Sequence, residues 1–261
     1  MTSLRAEALT VRLGRRDVLT GIDLAPEPGR LTVVVGPNGA GKTSLLRALA
    51  GLLAPAGGTV RLGDAPLPAL SRAERARRIA YLPQGGTVAW PLPVRDVVAL
   101  GRLPHGESAE NLPETGRRAV SAAIGDVGLL GLEDQPATGI SGGERARALL
   151  ARSLATEANV LLADEPAAAL DPRHQLLALQ VLRRRAEAGT TVVAVMHDLT
   201  LAARFADRIA LLHAGRLVTY GTPAAVLTEA ALARFFGIEA LVRTEGSHLL
   251  VTPCRPVTID D

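Results

Sequence analysis

Residues 36–43 read Gly36-Pro37-Asn38-Gly39-Ala40-Gly41-Lys42-Thr43, a stretch in which two glycines separated by four residues precede a lysine and a threonine. This is the spacing of a phosphate-binding loop. Lys42 is also the only lysine among the 29 basic residues of the chain. Lysine is a compact charge on a slim stem that fits beside terminal phosphates, whereas arginine is a wide planar fork. The stretch therefore predicts a phosphate site.

The residues around this loop predict the context that such a loop requires. The apolar run from Leu31 to Val35 predicts a buried parallel strand, and Lys42 to Ala50 predicts an amphipathic helix. Loop amides and the helix N-terminus would then face the phosphates. Lys42 is expected to reach the β- and γ-phosphates, and the Thr43 hydroxyl to complete a Mg²⁺ shell. Gly36 to Ser44 are therefore the expected nucleotide-binding residues.

Two further apolar runs end in polar side chains. Asn159 to Ala163 precedes Asp164-Glu165-Pro166, and Thr190 to Met196 precedes His197-Asp198. Between them, Pro172 to Glu187 predicts a helix with proline in its first turn. Because open α/β sheets bind ligands at the carboxyl ends of parallel strands, these side chains are expected near the glycine-rich loop.

The paired carboxylates at the end of the first of these runs have separate expected roles. Asp164 suits a magnesium-bound water. Glu165 is expected to point the opposite way along an extended chain, where it could orient the attacking water. The alternative is a solvated acidic turn.

A third motif, Ile140-Ser141-Gly142-Gly143-Glu144-Arg145, opens a helix predicted to run to Ala155. A serine followed by two glycines makes a second anion-binding helix start, with Ser141, Gly142 and Gly143 as the expected contacts. The alternative is a simple serine N-cap followed by flexible glycines. The position of the motif, between the loop and the acidic strand, favours anion binding.

The remaining sequence predicts further strands and helices. Leu9 to Leu13 and Val18 to Leu24 predict antiparallel strands, and Ile209 to Tyr220 predicts a hairpin that turns at Ala214-Gly215. Helical patches at Val94 to Arg102 and Glu114 to Leu130 lie in a proline-interrupted stretch. Short helices after residue 223 and a final strand pair, around Leu241 and Leu249 to Val251, complete the chain.

These elements predict an α/β fold with a mainly parallel sheet, an N-terminal antiparallel β subdomain and a helical subdomain inserted at about 86–157. The expected domain spans 1–237, and 238–261 form a short C-terminal extension.

Composition excludes several classes of protein. Six aromatic residues are too few for a base-stacking platform, so no nucleic-acid partner is expected. The single cysteine, Cys254, cannot form an internal disulfide and suits a reducing compartment. The sequence has no apolar run of about 18 residues, and its start lacks the apolar core of a signal peptide.

Along the chain, the glycine-rich loop is followed by the Ser141 motif and then by the acidic strand end. With its motifs in this order, the sequence from about Leu4 to Leu227 resembles the ATP-binding subunits of ABC transporters. The resemblance implies a RecA-like P-loop NTPase core that binds ATP and Mg²⁺. It also implies a head-to-tail homodimer, in which the Ser141 motif of one subunit contacts the γ-phosphate held by the other. The matching positions are Gln84 for the magnesium-contacting glutamine, Glu165 for the general base, Leu170-Asp171 for the interface loop and His197 for the switch histidine.

Several positions depart from the family pattern. Leu13 replaces a common adenine-stacking aromatic residue, so base recognition is expected either to be looser or to rest on Val18 and on Arg15 or Arg16. The other departures are Ile140, Glu144, Ala146 and the pair Ala167-Ala168, which lacks a hydroxyl able to bond across the dimer. None removes a catalytic group.

The segments Trp90 to His105 and His197 to Asp207 are similar to those of importers for iron–siderophore, haem and cobalamin. That similarity implies a peripheral subunit on the cytoplasmic side of the membrane. Its partners would be integral membrane permease subunits and, indirectly, a solute-binding protein. Three alternatives stay open: a soluble ABC-type ATPase acting on nucleic acid or the translation machinery, a non-catalytic regulatory module, and an exporter subunit.

Overall fold

The computed structural model describes residues 3–246 and 248–257. The strands are β1 Leu4–Leu13, β2 Arg16–Leu24, β3 Leu31–Val35, β4 Gly57–Leu62, β5 Ala65–Pro66, β6 Ile79–Leu82, β7 Val160–Asp164, β8 Thr191–Val195, β9 Arg208–His213, β10 Arg216–Gly221, β11 Ile238–Glu245 and β12 His248–Pro256. The helices are α1 Lys42–Leu49, α2 Arg72–Arg78, α3 Val94–Ala99, α4 Glu114–Asp126, α5 Gly142–Ala155, α6 Pro172–Glu187, α7 Leu199–Phe205, α8 Pro223–Val226 and α9 Glu229–Phe236.

A six-stranded sheet in the order β10-β9-β3-β8-β7-β6 forms the centre of the molecule. All its neighbouring strands pair in parallel except β10, which is antiparallel to β9. Every residue of β3, β7 and β8 is buried, as expected for strands covered on both faces. The predicted mainly parallel sheet is confirmed, and it brings the carboxyl ends of β3, β7 and β8 to one edge.

Helix α1 lies between two sheets. Its Leu45, Leu46 and Leu49 pack in one core cluster with Leu9 and Ile22 of the antiparallel sheet β2-β1-β4-β5 and with the central sheet. The predicted N-terminal antiparallel β subdomain is therefore confirmed. This packing holds the start of α1 at the sheet edge.

Helices α3, α4 and α5 pack against one another, as a helical subdomain requires. Two predicted helix lengths are wrong. The first helix ends at Ala99 and continues as a 3₁₀ segment, Leu100–His105, because Pro104 has no N–H to donate and its ring crowds the preceding turn. The second ends at Asp126, since Gly128 adopts a left-handed conformation (φ 67°) that terminates the helix.

The C-terminal region matches its predicted elements. Strands β9 and β10 form the hairpin with its turn at Ala214-Gly215, and β11 pairs with β12. The β11–β12 hairpin packs on α7, where the Thr200 hydroxyl donates to the carbonyl of Val251 at 2.6 Å. Its buried residues Ala240, Leu249 and Val251 belong to the main core cluster. Throughout the described part of the chain, no helix has the length and apolar character needed to span a bilayer.

Candidate active site

The glycine-rich loop connects β3 to α1 in a backbone conformation that only glycine tolerates. A Cβ at Gly36 would lie 2.1 Å from the carbonyl oxygen of Leu212. Gly41 is the N-cap of α1 in a left-handed conformation (φ 100°), and within the described residues no side chain caps this helix. The first N–H groups of α1 are therefore available to an anion.

Lys42 lies inside the loop and is 6% exposed. Its Nζ donates to the carbonyl oxygens of Gly36 at 2.7 Å and Pro37 at 2.9 Å, which uses two of its three N–H donors. Burial lowers the pKa of Lys42, while the charges of Glu165 and Asp164 oppose that shift. The side chain is thus held in place beside the position predicted for the phosphates.

Asp164 ends β7 and is 1% exposed. Its carboxylate accepts a hydrogen bond from the Thr43 hydroxyl at 3.3 Å and another from the Tyr81 hydroxyl at 3.4 Å. Burial raises the pKa of Asp164, and the hydrogen bond from Thr43 opposes the shift. Tyr81 is absent from the sequence-predicted site. Tyr81 lies on β6, the neighbour of β7. Because a half-buried tyrosine hydroxyl needs a hydrogen-bond partner, its position on a predicted strand could have identified it as a site residue.

Glu165 and His197 form a close pair in which Nε2 of His197 lies 2.6 Å from Oε1 of Glu165. The expectation that Glu165 continues an extended chain is wrong. Strand β7 ends at Asp164, and Glu165 has a left-handed backbone (φ 52°), with its N–H donating to the carbonyl of Val195 at 3.2 Å. This turn is what directs the carboxylate toward the histidine that follows β8.

Lys42, Thr43, Glu165 and His197 line one cavity of about 520 Å³, whereas Asp164 and the predicted loop residues Gly36 and Pro37 are not part of its lining. It is lined by Arg16, Asp17, Val18, Asn38, Gly39, Ala40, Gly41, Lys42, Thr43, Ser44, Gln84, Glu165, His197, Ala214 and Gly215. Sequence reasoning missed Asp17, at the start of β2, and Ala214 and Gly215, in the turn between β9 and β10. Of the residues considered for base recognition, Arg16 and Val18 line the cavity and Leu13 and Arg15 do not.

Ser141, Gly142 and Gly143 lie outside this cavity, at the start of α5. The Ser141 hydroxyl accepts the N–H of Glu144 at 3.3 Å, and the Glu144 carboxylate accepts the N–H of Ser141 at 2.8 Å. This reciprocal capping box satisfies two amides of the helix start. Within a single copy of the chain, Ser141 therefore acts as an N-cap of α5, which is the alternative that the sequence left open.

The residues predicted to hold Mg²⁺ offer oxygen donors of three kinds: the Thr43 hydroxyl, the Asp164 carboxylate and the Gln84 side-chain amide. Mg²⁺ prefers such oxygen ligands and keeps several waters, so it needs few protein groups. No cluster of three or more His, Cys, Asp or Glu side chains occurs among the described residues. The donor set at the loop therefore fits Mg²⁺ held jointly with phosphate oxygens.

The family model described as ABC transporter matches residues 19–168. The chain belongs to the ABC transporter family. It is accordingly an ATP-binding, ATP-hydrolysing subunit. It is 46% identical to the hemin import ATP-binding protein HmuV of Pseudomonas fluorescens, over 95% of this chain and 98% of that protein. It is 43% identical to the Streptomyces coelicolor protein of the same name, over 96% and 89% of the two chains.

Two solved structures of ABC transporter proteins share the fold of this chain. A structure described as a metal-chelate type ABC transporter in an inward-facing conformation aligns with a TM-score of 0.81 and 23% identity, covering 99% of each chain. A dimeric bacterial ABC transporter cassette aligns with a TM-score of 0.74 and 24% identity, over 84% of this chain and 98% of the other. The P-loop NTPase fold expected from the sequence is confirmed.

Proposed function

We propose that this chain is the ATP-hydrolysing subunit of a membrane importer that takes up haem or a related metal chelate. The observation that carries hydrolysis is the Glu165–His197 pair, 2.6 Å apart in the cavity that also holds the glycine-rich loop. The cargo class is supported by the hemin-import names of relatives that match nearly the whole chain.

The chain's own residues account for the chemistry. Lys42 places a charge at the phosphates, and Glu165 accepts a proton from, or orients, the attacking water. His197 holds the Glu165 carboxylate in position through their hydrogen bond. Phosphoryl transfer needs this kind of positioning and charge more than covalent catalysis. Thr43, Asp164 and Gln84 would hold Mg²⁺, which when bound neutralises charge on the phosphates.

The working unit is a head-to-tail homodimer with ATP between the subunits. Ser141 and Gly142 are exposed and lie outside the chain's own nucleotide cavity, which supports a role in completing the cavity of a second copy. ATP would then add contacts across the interface, and hydrolysis would remove them. That closing and opening is the two-state element coupled to transport.

The membrane partner is a permease subunit that docks beside Gln84 and α3. Exposed apolar side chains in this region support the assignment: Trp90 at 71%, Leu92 at 38%, Leu100 at 39% and Leu103 at 54%. The subunit would be peripheral at the cytoplasmic side of the inner membrane, and a solute-binding protein would act through the permease.

The decisive variant is Glu165→Gln, which keeps the shape of the side chain and removes its base. ATP turnover should fall at least about 100-fold, while ATP binding persists and ATP-dependent dimers accumulate. Glu110→Gln, the same change at an exposed position, should behave like the parent. Hydrolysis at the parental rate in Glu165→Gln, or a strictly monomeric ATP-bound form beside its permease, would refute the proposed mechanism.

Reconstitution with the permease and binding protein distinguishes the importer from the alternatives. Haem-loaded binding protein should stimulate ATP turnover. Stimulation by DNA or RNA that weakens with salt would instead indicate an ATPase acting on nucleic acid.

A further inference from the structure

A second cavity of the molecule is larger than the nucleotide cavity. It has a volume of about 760 Å³ and is bounded by α6, α7, α8 and the β11–β12 hairpin. None of its lining residues also lines the nucleotide cavity. We call it the hairpin groove, and no step of ATP hydrolysis uses it.

Three arginines line the hairpin groove, and its single acid is already engaged. Asp207 accepts from the backbone N–H of Leu31 at 2.9 Å and pairs with Arg183 at 3.2 Å. Arg183 also donates to the carbonyl of Phe205 at 2.8 Å, so this arginine is committed to the fold. The remaining two guanidinium groups determine what the groove can bind.

Arg184 and Arg204 are the available cations. Within the part of the chain that the structure describes, Arg184 has one acidic neighbour, Asp126, at 3.6 Å. Arg204 has no acidic partner among the described residues, and its guanidinium carbon lies 5.7 Å from the centre of the Phe205 ring. An anion in the groove would therefore meet two weakly compensated positive charges beside an aromatic surface.

The rest of the lining is apolar, apart from the Gln180 amide and two hydroxyl groups. Phe205, Leu249 and Pro223 supply the apolar surface, while Thr222 and Thr244 supply hydroxyl groups. The volume lies within the range of small-molecule sites. We propose that the hairpin groove binds an amphipathic organic anion, an apolar body that carries carboxylate groups, and that its occupancy alters ATP turnover.

The proposed effect on ATP turnover depends on how the groove is connected to the active site through the backbone and through hydrogen bonds. Helix α7 contributes Phe205 to the groove and begins two residues after His197, with Asp198 as its N-cap. The hairpin is fixed to the same helix by the Thr200–Val251 hydrogen bond of 2.6 Å. A ligand held between hairpin and α7 would therefore bias the position of His197, whose ring contacts Glu165.

The probe is protoporphyrin IX, a flat apolar dicarboxylate. It has the chemistry of the cargo in the proposed function, and the choice of probe rests on that function. The iron-free porphyrin avoids coordination by the exposed Cys254. Binding to the full chain is measured by fluorescence titration, with saturating nucleotide present so that the nucleotide cavity is occupied.

The test variant is Arg184→Gln with Arg204→Gln, and the matched control is Arg118→Gln with Arg216→Gln, two exposed arginines outside both cavities. Saturable binding of one porphyrin per chain is expected, with Kd at least tenfold higher in the groove variant and within twofold of the parent in the control. Absence of saturable binding in the presence of nucleotide, equal affinity in the groove variant, or an equal loss in the control would overturn the site.

Turnover tests the coupling. Porphyrin should change the ATP turnover of the parent at least twofold. The basal turnover of the groove variant is expected to match that of the parent, and porphyrin should leave it unchanged. Porphyrin binding that leaves turnover unaltered would overturn the coupling. Failure of the proposed function would be a separate result. It would appear as absent ATP hydrolysis or as haem-independent transport, whereas the groove is tested by measuring porphyrin binding directly.

Discussion

The starts of α1 and α5 are both rich in glycine, and they satisfy their backbone N–H groups in opposite ways. At α1, the N-cap is Gly41 in a left-handed conformation, and no side chain of the described residues caps the helix. At α5, Ser141 and Glu144 cap each other's amides at 3.3 and 2.8 Å. The first helix start is open to an anion within one copy of the chain, whereas the second is closed by its own side chains.

In the proposed dimer, this difference would separate a preformed half of the site at α1 from a half at α5 that must change its contacts. At α1, no side chain of the described residues occupies the cap position, and Lys42 is held in the loop by the carbonyls of Gly36 and Pro37. At α5, the hydrogen bond from the Ser141 N–H lowers the pKa of Glu144, so a carboxylate occupies the helix start at neutral pH. In the proposed dimer, a phosphate from the partner's site would compete with that arrangement.

The largest expected effect comes from the open start. Lys42→Ala should lower kcat/KM for ATP by about 100-fold or more, because it removes the charge held inside the loop. Lys42→Arg keeps the charge but replaces a slim stem with a planar fork, and it should lose nearly as much. Steady-state ATP turnover measures both; a Lys42→Arg variant within threefold of the parent would show that the shape of lysine is not required.

Asp164→Asn tests the buried carboxylate that faces Thr43 in the first turn of α1. ATP turnover should fall about tenfold or more, whereas the free energy of unfolding at pH 7 should drop by no more than about 1 kcal/mol. Burial raises the folded pKa of Asp164 above its ordinary 3.8, so the ionised form costs stability that returns as pH falls through the raised value.

Urea unfolding across the acid range checks that sign. The parent should lose stability from this group as pH rises from 3.8 through the folded pKa, and the variant should lack that component. A variant that is strongly destabilised at neutral pH would show that the carboxylate is mainly structural.

Ser141 separates helix capping from phosphate contact at the closed start. Ser141→Ala should cost about 1 kcal/mol of stability and also lower ATP turnover. Ser141→Asp retains a good N-cap, so stability should stay near the parental value, but its negative charge would repel a phosphate and lower turnover at least tenfold. Denaturant unfolding and ATP turnover are measured on both variants; parental turnover in Ser141→Asp would contradict the proposed phosphate contact.

The same comparison explains what could be predicted from the sequence. The loop around Lys42 was predictable because its spacing, strand and helix are local features of one segment. The gathering of Asp164, Glu165 and His197 followed from the rule that parallel strands present their carboxyl ends at one edge. Ser141 was ambiguous in principle, since a capping serine and a phosphate-binding serine share one sequence pattern.

Other features depended on contacts that the sequence does not display. The left-handed backbone of Glu165 results from the end of pairing between β7 and β8, and the role of Tyr81 results from the adjacency of β6 and β7. Both depend on strand order in the sheet. The two helix ends were missed for different reasons. The first predicted helix stopped at Arg102 and made no allowance for the effect of Pro104 on the preceding turn, whereas the second ran past Gly128.

The smallest expected effect isolates the charge at the closed helix start. Glu144→Gln keeps a side chain that can accept the Ser141 N–H and removes its charge, and because water screens this group, stability at pH 7 should change by only a few tenths of a kcal/mol. The folded pKa of Glu144 is below 4.5, so its stabilisation is present above pH 4.5 and is lost as pH falls through the folded pKa. The variant should lack that acid-dependent loss.

Helix α2 supplies the matched control, since Ser71 and Glu74 form the same capping box away from both cavities. Glu74→Gln should remove a similar acid-dependent component of unfolding, because hydrogen bonds from Ser71 lower the pKa of Glu74 as well. Only Glu144→Gln should also strengthen ATP-dependent dimerisation, by about twofold, since it removes a negative charge from the helix start that would meet the phosphate. Equal dimerisation of the two variants would mean that the α5 start does not face a phosphate.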